Sequence, residues 1–426
     1  MNKKLIIKIP RRTQSEWACC ILLALPFAFG LFIDLLNGPS AIKYITDLLW
    51  FFLLCTMAYN RFQIFTPEIR NLRYCFIALM VVSGLGLILN MYSLLYYFWG
   101  FRNQFRFFFF FFSCTVFLRK DNVEEILDMF DAMFYLNFVL TLVQYFFFGK
   151  RQDYLGGIFG TTVGCNAKTI ILFSIVISRS VLRFLHKQEK FSVCIIKVCL
   201  ALFVAAIAEL KFFFVLFLMI VILASLLTKF SFRKLMLICL SLAGIYVGVM
   251  ILITVFPMWK SWFNVDTILK TALDREGYTG KGDLNRLTSI PIVWERFLRS
   301  FDEKLFGLGL GNCDTSAFSF LNTPFYQKYK YLRYTWFSGA FTLLELGLIG
   351  LAIYVSFFVL VFVNARKMEK CGKCTSLNSQ LVQIIVIVGM ILNLYNASMR
   401  TEEAFLVYFV MSIPFLREKR LSIKGE

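Results

Sequence analysis

Arg102 and Arg106 stand one helical turn apart at the head of an apolar stretch that continues through Phe107–Phe112. Two guanidiniums on one helix face repel each other unless an anion lies between them, so the pair is a candidate anion site. The plainer reading is two cations reaching for lipid headgroups at a membrane surface. Lys168 lies a few residues inside another apolar segment, just after Gly156, Gly157, Gly160 and Gly164. Glu209 and Lys211 share a hairpin of almost no length, where a mutual salt bridge competes with a chemical role. Glu345 falls about two turns inside a later apolar run, and either pairs with an arginine or accepts a proton. Lys197 sits in the middle of a segment with no evident role. Ionisable groups in such surroundings are costly unless partnered, so each is a functional candidate. Arginine forks and lysines suit the stabilisation of charge developing on a phosphate or carboxylate oxygen.

Other chemistries find little support. His186, the one histidine, is expected in a solvated turn, which excludes histidine-based metal sites and a Ser–His triad. Cys371 and Cys374 form a single CxxC without a second pair, a weak zinc signal. No metal and no cofactor is expected. Gly307-Leu308-Gly309-Leu310-Gly311 looks like a dinucleotide turn, but no βαβ unit surrounds it.

The elements that must position these groups follow from composition. Of 426 residues, 59% are hydrophobic and only 17% charged, which rules out a soluble domain, a disulfide-stapled module or a disordered chain. Apolar stretches at 18–36, 41–59, 74–90, 103–118, 125–148, 164–185, 191–208, 211–228, 235–256, 338–363, 381–397 and 404–416 read as spans. The expected fold is an all-α polytopic membrane protein of about twelve transmembrane helices with one long external loop. It divides into a bundle of nine spans (1–256), the loop (257–337) and three further spans (338–426). Twelve spans put both termini in the cytoplasm. Cytoplasmic segments then hold 25 Lys and Arg against 7 in the short outer loops, the asymmetry that the positive-inside rule demands. The formal charge of +19 is explained the same way, and no nucleic-acid partner is expected. Within the long loop, Ser289 is placed to cap an amphipathic helix that buries Ile290, Trp294, Phe297, Leu298 and Phe301 and exposes Glu295, Arg296 and Arg299, with the glycines from Gly307 ending it.

Four stretches, in order, resemble the bacterial O-antigen and capsule repeat-unit polymerases, a family related to the O-antigen ligases. They are Gly100-Phe101-Arg102 with Arg106; Gly157-Ile158-Phe159-Gly160; Ala208-Glu209-Leu210-Lys211; and Arg286 through Trp294 to Leu305-Phe306-Gly307-Leu308-Gly309-Leu310-Gly311-Asn312, followed by Glu345-Leu346-Gly347-Leu348-Ile349-Gly350. The ligase-like relatives carry a histidine shortly before that last motif. Here the neighbourhood reads Tyr334-Thr335-Trp336-Phe337-Ser338, which favours polymerase over ligase. The resemblance implies a glycosyltransferase in the bacterial inner membrane. It would join undecaprenyl-pyrophosphate-linked oligosaccharides on the outer leaflet, donor to acceptor, without a metal. It implies a pyrophosphate pocket of Arg102, Arg106, Arg286 and Lys211, with Lys168, Arg296, Arg299, Asn312 and Arg333 as further substrate-binding candidates. Arg286, Glu209 and Glu345 are the catalytic candidates. Loop aromatics such as Trp259, Trp294 and Trp336 are candidates to stack on sugars. Membrane lipid and a chain-length regulator protein are the expected partners. A ligase-like transferase and a lipid-oligosaccharide flippase are the competing readings.

Overall fold

The structure is a computed structural model that describes residues 12–59, 67–257 and 282–418. The amino terminus, most of the first part of the long loop, including Trp259, and the last eight residues lie outside it. Among the described residues the chain is all-helical, and each of the twelve predicted segments contains a helix. In order these are α1 (Gln14–Gly30), α2 (Ile45–Tyr59), α3 (Arg70–Asn90), α4 (Leu94–Phe117), α5 (Asp121–Phe146), α6 (Asn166–Leu185), α7 (Phe191–Ile207), α8 (Lys211–Leu227) and α9 (Phe232–Val255). The loop contributes α10 (Ser289–Arg296), α11 (Phe301–Phe306) and α12 (Pro324–Tyr329), and the bundle closes with α13 (Ser338–Lys370), α14 (Ser376–Tyr395) and α15 (Ala404–Ser412).

The expected twelve spans are not borne out by length and apolarity: among the described residues seven helices are long and apolar enough to cross a membrane. These are α1, with its π-helical extension, α2, α3, α5, α9, α13 and α14. The rest fall short for separate reasons. Phe191–Ile207, Lys211–Leu227 and Ala404–Phe415 are apolar but short. Helix α4 is diluted by Arg102, Asn103, Gln104 and Arg106, and α6 carries Lys168, Arg179 and Arg183. The chain is a multi-pass membrane protein on the strength of the seven.

Alternating helix directions give the bundle two ends: a loop end, holding 282–337, and a termini end. Helices α4, α6, α14 and α15 form its centre. The Phe107–Phe112 run of α4 packs into that centre rather than facing lipid. Phe107 meets Phe405 at 4.9 Å and Phe108 meets Phe357 at 4.8 Å between ring centroids. Helix α1 starts from a capping box, in which Thr13 accepts the Glu16 N–H and Glu16 accepts the Thr13 N–H. Helix α13 is broken at Gly347, whose φ of 65° and ψ of −168° no helix contains. The amphipathic helix of the loop is split in two. Ser300 caps α11 with its own capping box, so Phe301 begins a new helix and is 78% exposed, whereas Val293 and Leu298 are buried. Helix α10 begins with Ser289 itself, preceded by Thr288, which makes no side-chain capping bond.

Candidate functional site

The break at Gly347 is where the site begins. A helix interrupted there leaves the carbonyls of Leu344 and Glu345 without their usual partners. The Leu308 N–H donates to the Leu344 carbonyl at 2.9 Å, and the Gly309 N–H donates to that of Glu345 at 3.1 Å. The Glu345 side chain turns into the same loop. Its Oε1 accepts the Gly311 N–H at 2.9 Å and the Cys313 N–H at 3.4 Å. The glycine run thus cradles a carboxylate, with its own backbone amides as donors. Glycine is obligatory at the closest approaches. A Cβ on Gly311 would lie 2.0 Å from the Tyr96 carbonyl oxygen of α4, and one on Gly307 would lie 2.4 Å from the Glu345 carbonyl carbon. Tyr92, at the α3–α4 turn, donates to the Leu310 carbonyl, and Tyr334 donates to that of Cys313. Asn312 donates to the Leu308 carbonyl, bracing the turn from within.

From Glu345 a chain of polar side chains crosses the loop end. Arg400, in the short link between α14 and α15, lies 3.8 Å from Glu345 Oε2 and donates to Asp314 at 3.2 Å. Asp314 also accepts from Asn103 of α4 at 2.7 Å. Asn103 in turn accepts from Arg102, whose guanidinium grips Asp47 of α2 with two bonds, at 2.8 and 2.6 Å. One turn deeper, Arg106 is 3% exposed, lies 3.4 Å from Glu402, and donates to the Arg400 carbonyl. Lys168 of α6 pairs with Glu403 at 3.1 Å. Arg102 and Arg106 therefore do not share an anion: each has its own carboxylate, from a separate part of the chain. Asp47, Asp314, Arg400, Glu402 and Glu403 complete the network. None was singled out in the sequence, although Asp47, an acid inside an apolar run, carries the signal that marked Arg102.

Glu402 lies in the α14–α15 link. Burial raises its pKa, but Arg106, Lys168 and Lys43 outweigh that and hold the carboxyl down at about 2. The link is thus fastened by a carboxylate that stays charged.

Beside this network lies a smaller group. Lys211 pairs with Glu209 at 3.0 Å across the α7–α8 hairpin, where Glu209 takes a φ of 59°. Arg286 stacks on Tyr395 at 4.2 Å and is close enough to act on the charge of Lys211. Phe212 stacks on the same Tyr395 ring, at 3.6 Å between centroids. Asn166, at the head of α6, ties the hairpin down through the Ala208 carbonyl. The remaining candidates stand apart from both groups. Arg296 and Arg299 are exposed. Arg333, with a φ of 52°, lies over Trp336. The Gly157–Gly160 motif serves packing. A Cβ on Gly30 of α1 would meet the Ile158 carbonyl at 2.4 Å, Asn137 of α5 accepts the Ile158 N–H, and Asp34 accepts the Thr161 N–H.

Three further groups lie at the termini end. Arg179 lies within α6 at 1% exposure and binds Glu124, Asp128 and Asp131 of α5. Lys197, without a role in the sequence, pairs with Asp131 at 3.0 Å and Glu189 at 3.5 Å. His186 is half-buried rather than solvated, with Nε2 2.8 Å from the Gln380 Oε1.

Comparison of the sequence with protein-family models and with curated proteins returns no match.

Proposed function

We propose that the chain transfers an oligosaccharide from a lipid diphosphate to the hydroxyl of a second lipid-linked unit, at the end of the bundle that carries the long loop. The observation that supports this is the gathering there of cations from separate parts of the chain. Arg102 and Arg106 come from α4, Lys168 from α6, Lys211 from α8, Arg286 from the loop and Arg400 from the last link. In the proposed reaction the acceptor oxygen attacks the anomeric carbon, the bond from that carbon to the diphosphate breaks, and the diphosphate leaves as an anion. Arg286 and Lys211 stabilise the charge that appears on it, as charge-assisted donors in a partly dehydrated setting. The acceptor's proton passes to a carboxylate. Glu209, with 12% of its side chain exposed, suits this role better than Glu345, whose carboxylate is committed to the glycine loop. On this reading Glu345, Asp314, Arg400 and Arg102 are positioning residues that fix the loop over α4.

The test is polymerisation of a defined undecaprenyl-pyrophosphate oligosaccharide by the purified full chain, read as a ladder of lengths on a gel. Wild-type protein should yield the ladder without added divalent ions, and Arg286→Ala should abolish it with the protein still inserted and monodisperse. A single glycan transferred to a different acceptor would identify a ligase. Translocation of the unit without any new bond would identify a flippase. A full ladder from Arg286→Ala would overturn the assignment of the leaving-group site.

A further inference from the structure

We infer that α5, α7 and α9 together form a binding site for one anionic glycerophospholipid, with its headgroup at the termini end. Two adjoining hollows make up the site. The larger, about 630 Å³, is lined almost wholly by apolar side chains, among them Phe138 and Leu142 of α5, Val198 and Leu202 of α7, and Leu237 and Ile251 of α9. Its volume falls within the usual range of ligand pockets. Gly244 and Gly248 lie along it, and Gly248 lets α8 pack closely behind: a Cβ there would come 2.5 Å from Phe214. The smaller hollow, about 350 Å³, is lined by Lys187, Gln188, Glu189, Lys190 and Arg233, and shares Phe191 with the larger. The two are stacked along one face of α9, where Arg233 and Met236 border the polar hollow and Leu237, Leu240, Gly244, Val247 and Ile251 border the apolar one.

The occupant follows from length, setting and charge. From Leu237 to Ile251 the groove runs about 21 Å along the helix at ~1.5 Å per residue. Both α5 and α9 are long and apolar enough to span a membrane. A groove of that length between such helices is bathed in lipid tails within a hydrocarbon core of ~30 Å, so its natural filling is an acyl chain. At its polar end stand three cations. Lys187 and Lys190 are exposed and have no ion-pair partner among the described residues. Arg233 spends one donor on the Phe184 carbonyl at 3.1 Å and keeps the rest of its fork. The one acid there, Glu189, is already engaged by Ser180 and Lys197. A phosphodiester with no compensating ammonium is the headgroup that complements this surplus, and basic pockets between membrane helices at the cytoplasmic side bind anionic lipids in this way. The inference stands independently of the proposed transferase activity, because it uses none of the loop-end residues.

The experiment is native mass spectrometry of the full chain in detergent, titrated with phosphatidylglycerol and phosphatidylcholine of identical acyl chains. One basic residue near a membrane surface contributes about fivefold in affinity for anionic lipid, so wild-type protein should retain phosphatidylglycerol at least about tenfold better. Lys187→Gln/Lys190→Gln/Arg233→Gln should bring the two lipids to within about twofold. Lys187→Gln/Lys190→Gln alone, at two exposed positions, should lower the preference partway and serves if the triple variant does not fold. Ala243→Trp/Val247→Trp fills the groove from its exposed edge and should reduce retention of both lipids at an unchanged ratio. Ile222→Trp, on the exposed face of α8, should retain lipid as wild type does. Equal retention of the two lipids by wild-type protein, a preference that survives removal of the cations, or equal loss in the groove and α8 variants would each overturn the inference.

Discussion

Replacing Gly347 by alanine tests whether the broken helix fastens the glycine loop. Its φ of 65° is costly for any residue with a Cβ, by roughly 1–3 kcal/mol. The added carbon would also stand 2.4 Å from the carbonyl carbon of Leu305 and 2.5 Å from the Gly307 nitrogen, so backbone must move. Relief comes by straightening α13, which withdraws the Leu344 and Glu345 carbonyls from Leu308 and Gly309. Two hydrogen bonds at about 1 kcal/mol each are then lost. The sum, about 3 kcal/mol or more, would raise the population of the open loop about a hundredfold. Cys313 reports that population directly. Its side chain is fully buried, and burial first, then the charges of Glu345 and Asp314, push its thiol well above the ordinary range. A closed loop therefore leaves it inert, and labelling with a thiol reagent measures opening. Peptide mass spectrometry should show Cys313 labelled about a hundred times faster in Gly347→Ala. Gly84→Ala on α3, where a Cβ meets nothing within 4 Å, should leave the rate unchanged. A Cys313 rate in Gly347→Ala within about threefold of wild type would refute the fastening role.

Three further outcomes are expected. Arg102→Lys keeps the charge but cannot repeat the two-bond grip on Asp47, so polymer yield should fall at least about tenfold while the protein stays monodisperse, and an unchanged ladder would count against a fork at that position. Because the Glu402 carboxyl is held at about 2, below its ordinary value of 4.5, its contribution to stability is complete only above about pH 5 and is lost progressively as pH falls through 2. Thermal stability should therefore drop between those values in the wild type, and Glu402→Gln should be less stable at neutral pH and lose this part of the acid dependence. Arg179→Ala removes a buried guanidinium from three carboxylates; since Glu124 and Asp128 are largely exposed, the loss should be nearer about 2 kcal/mol than the 3–5 kcal/mol typical of a wholly buried pair, measured as a lowered unfolding midpoint.

What could be read in the chain beforehand divides along physical lines. Apolar runs announce helices because burying or lipid-solvating twenty apolar residues leaves few other options, and all twelve predicted segments contain a helix. Whether a helix crosses the membrane depends on finer things: Arg102 and Arg106 lower the apolarity of α4, yet its phenylalanines lie at the centre of the bundle. Charges inside such runs were visible as anomalies, and Arg102, Arg106, Lys168 and Glu345 do meet at one end. Their partners were not visible, because a partner is chosen by the fold. Asp47 lies 55 positions from Arg102 and Glu402 lies 296 from Arg106, and no local rule connects them. The same holds for the glycine run. Its spacing announced a tight backbone but not its purpose, since a nest of N–H groups serves a phosphate or a carboxylate equally well. The Glu345 side chain decides the matter by taking up the Gly311 and Cys313 N–H groups, so that the carboxyl group cradled is the protein's own. In the proposed reaction a diphosphate is therefore met by side-chain cations rather than by the loop's amides, which is why Arg286 and Lys211, and not Gly309 or Gly311, carry the proposed chemistry.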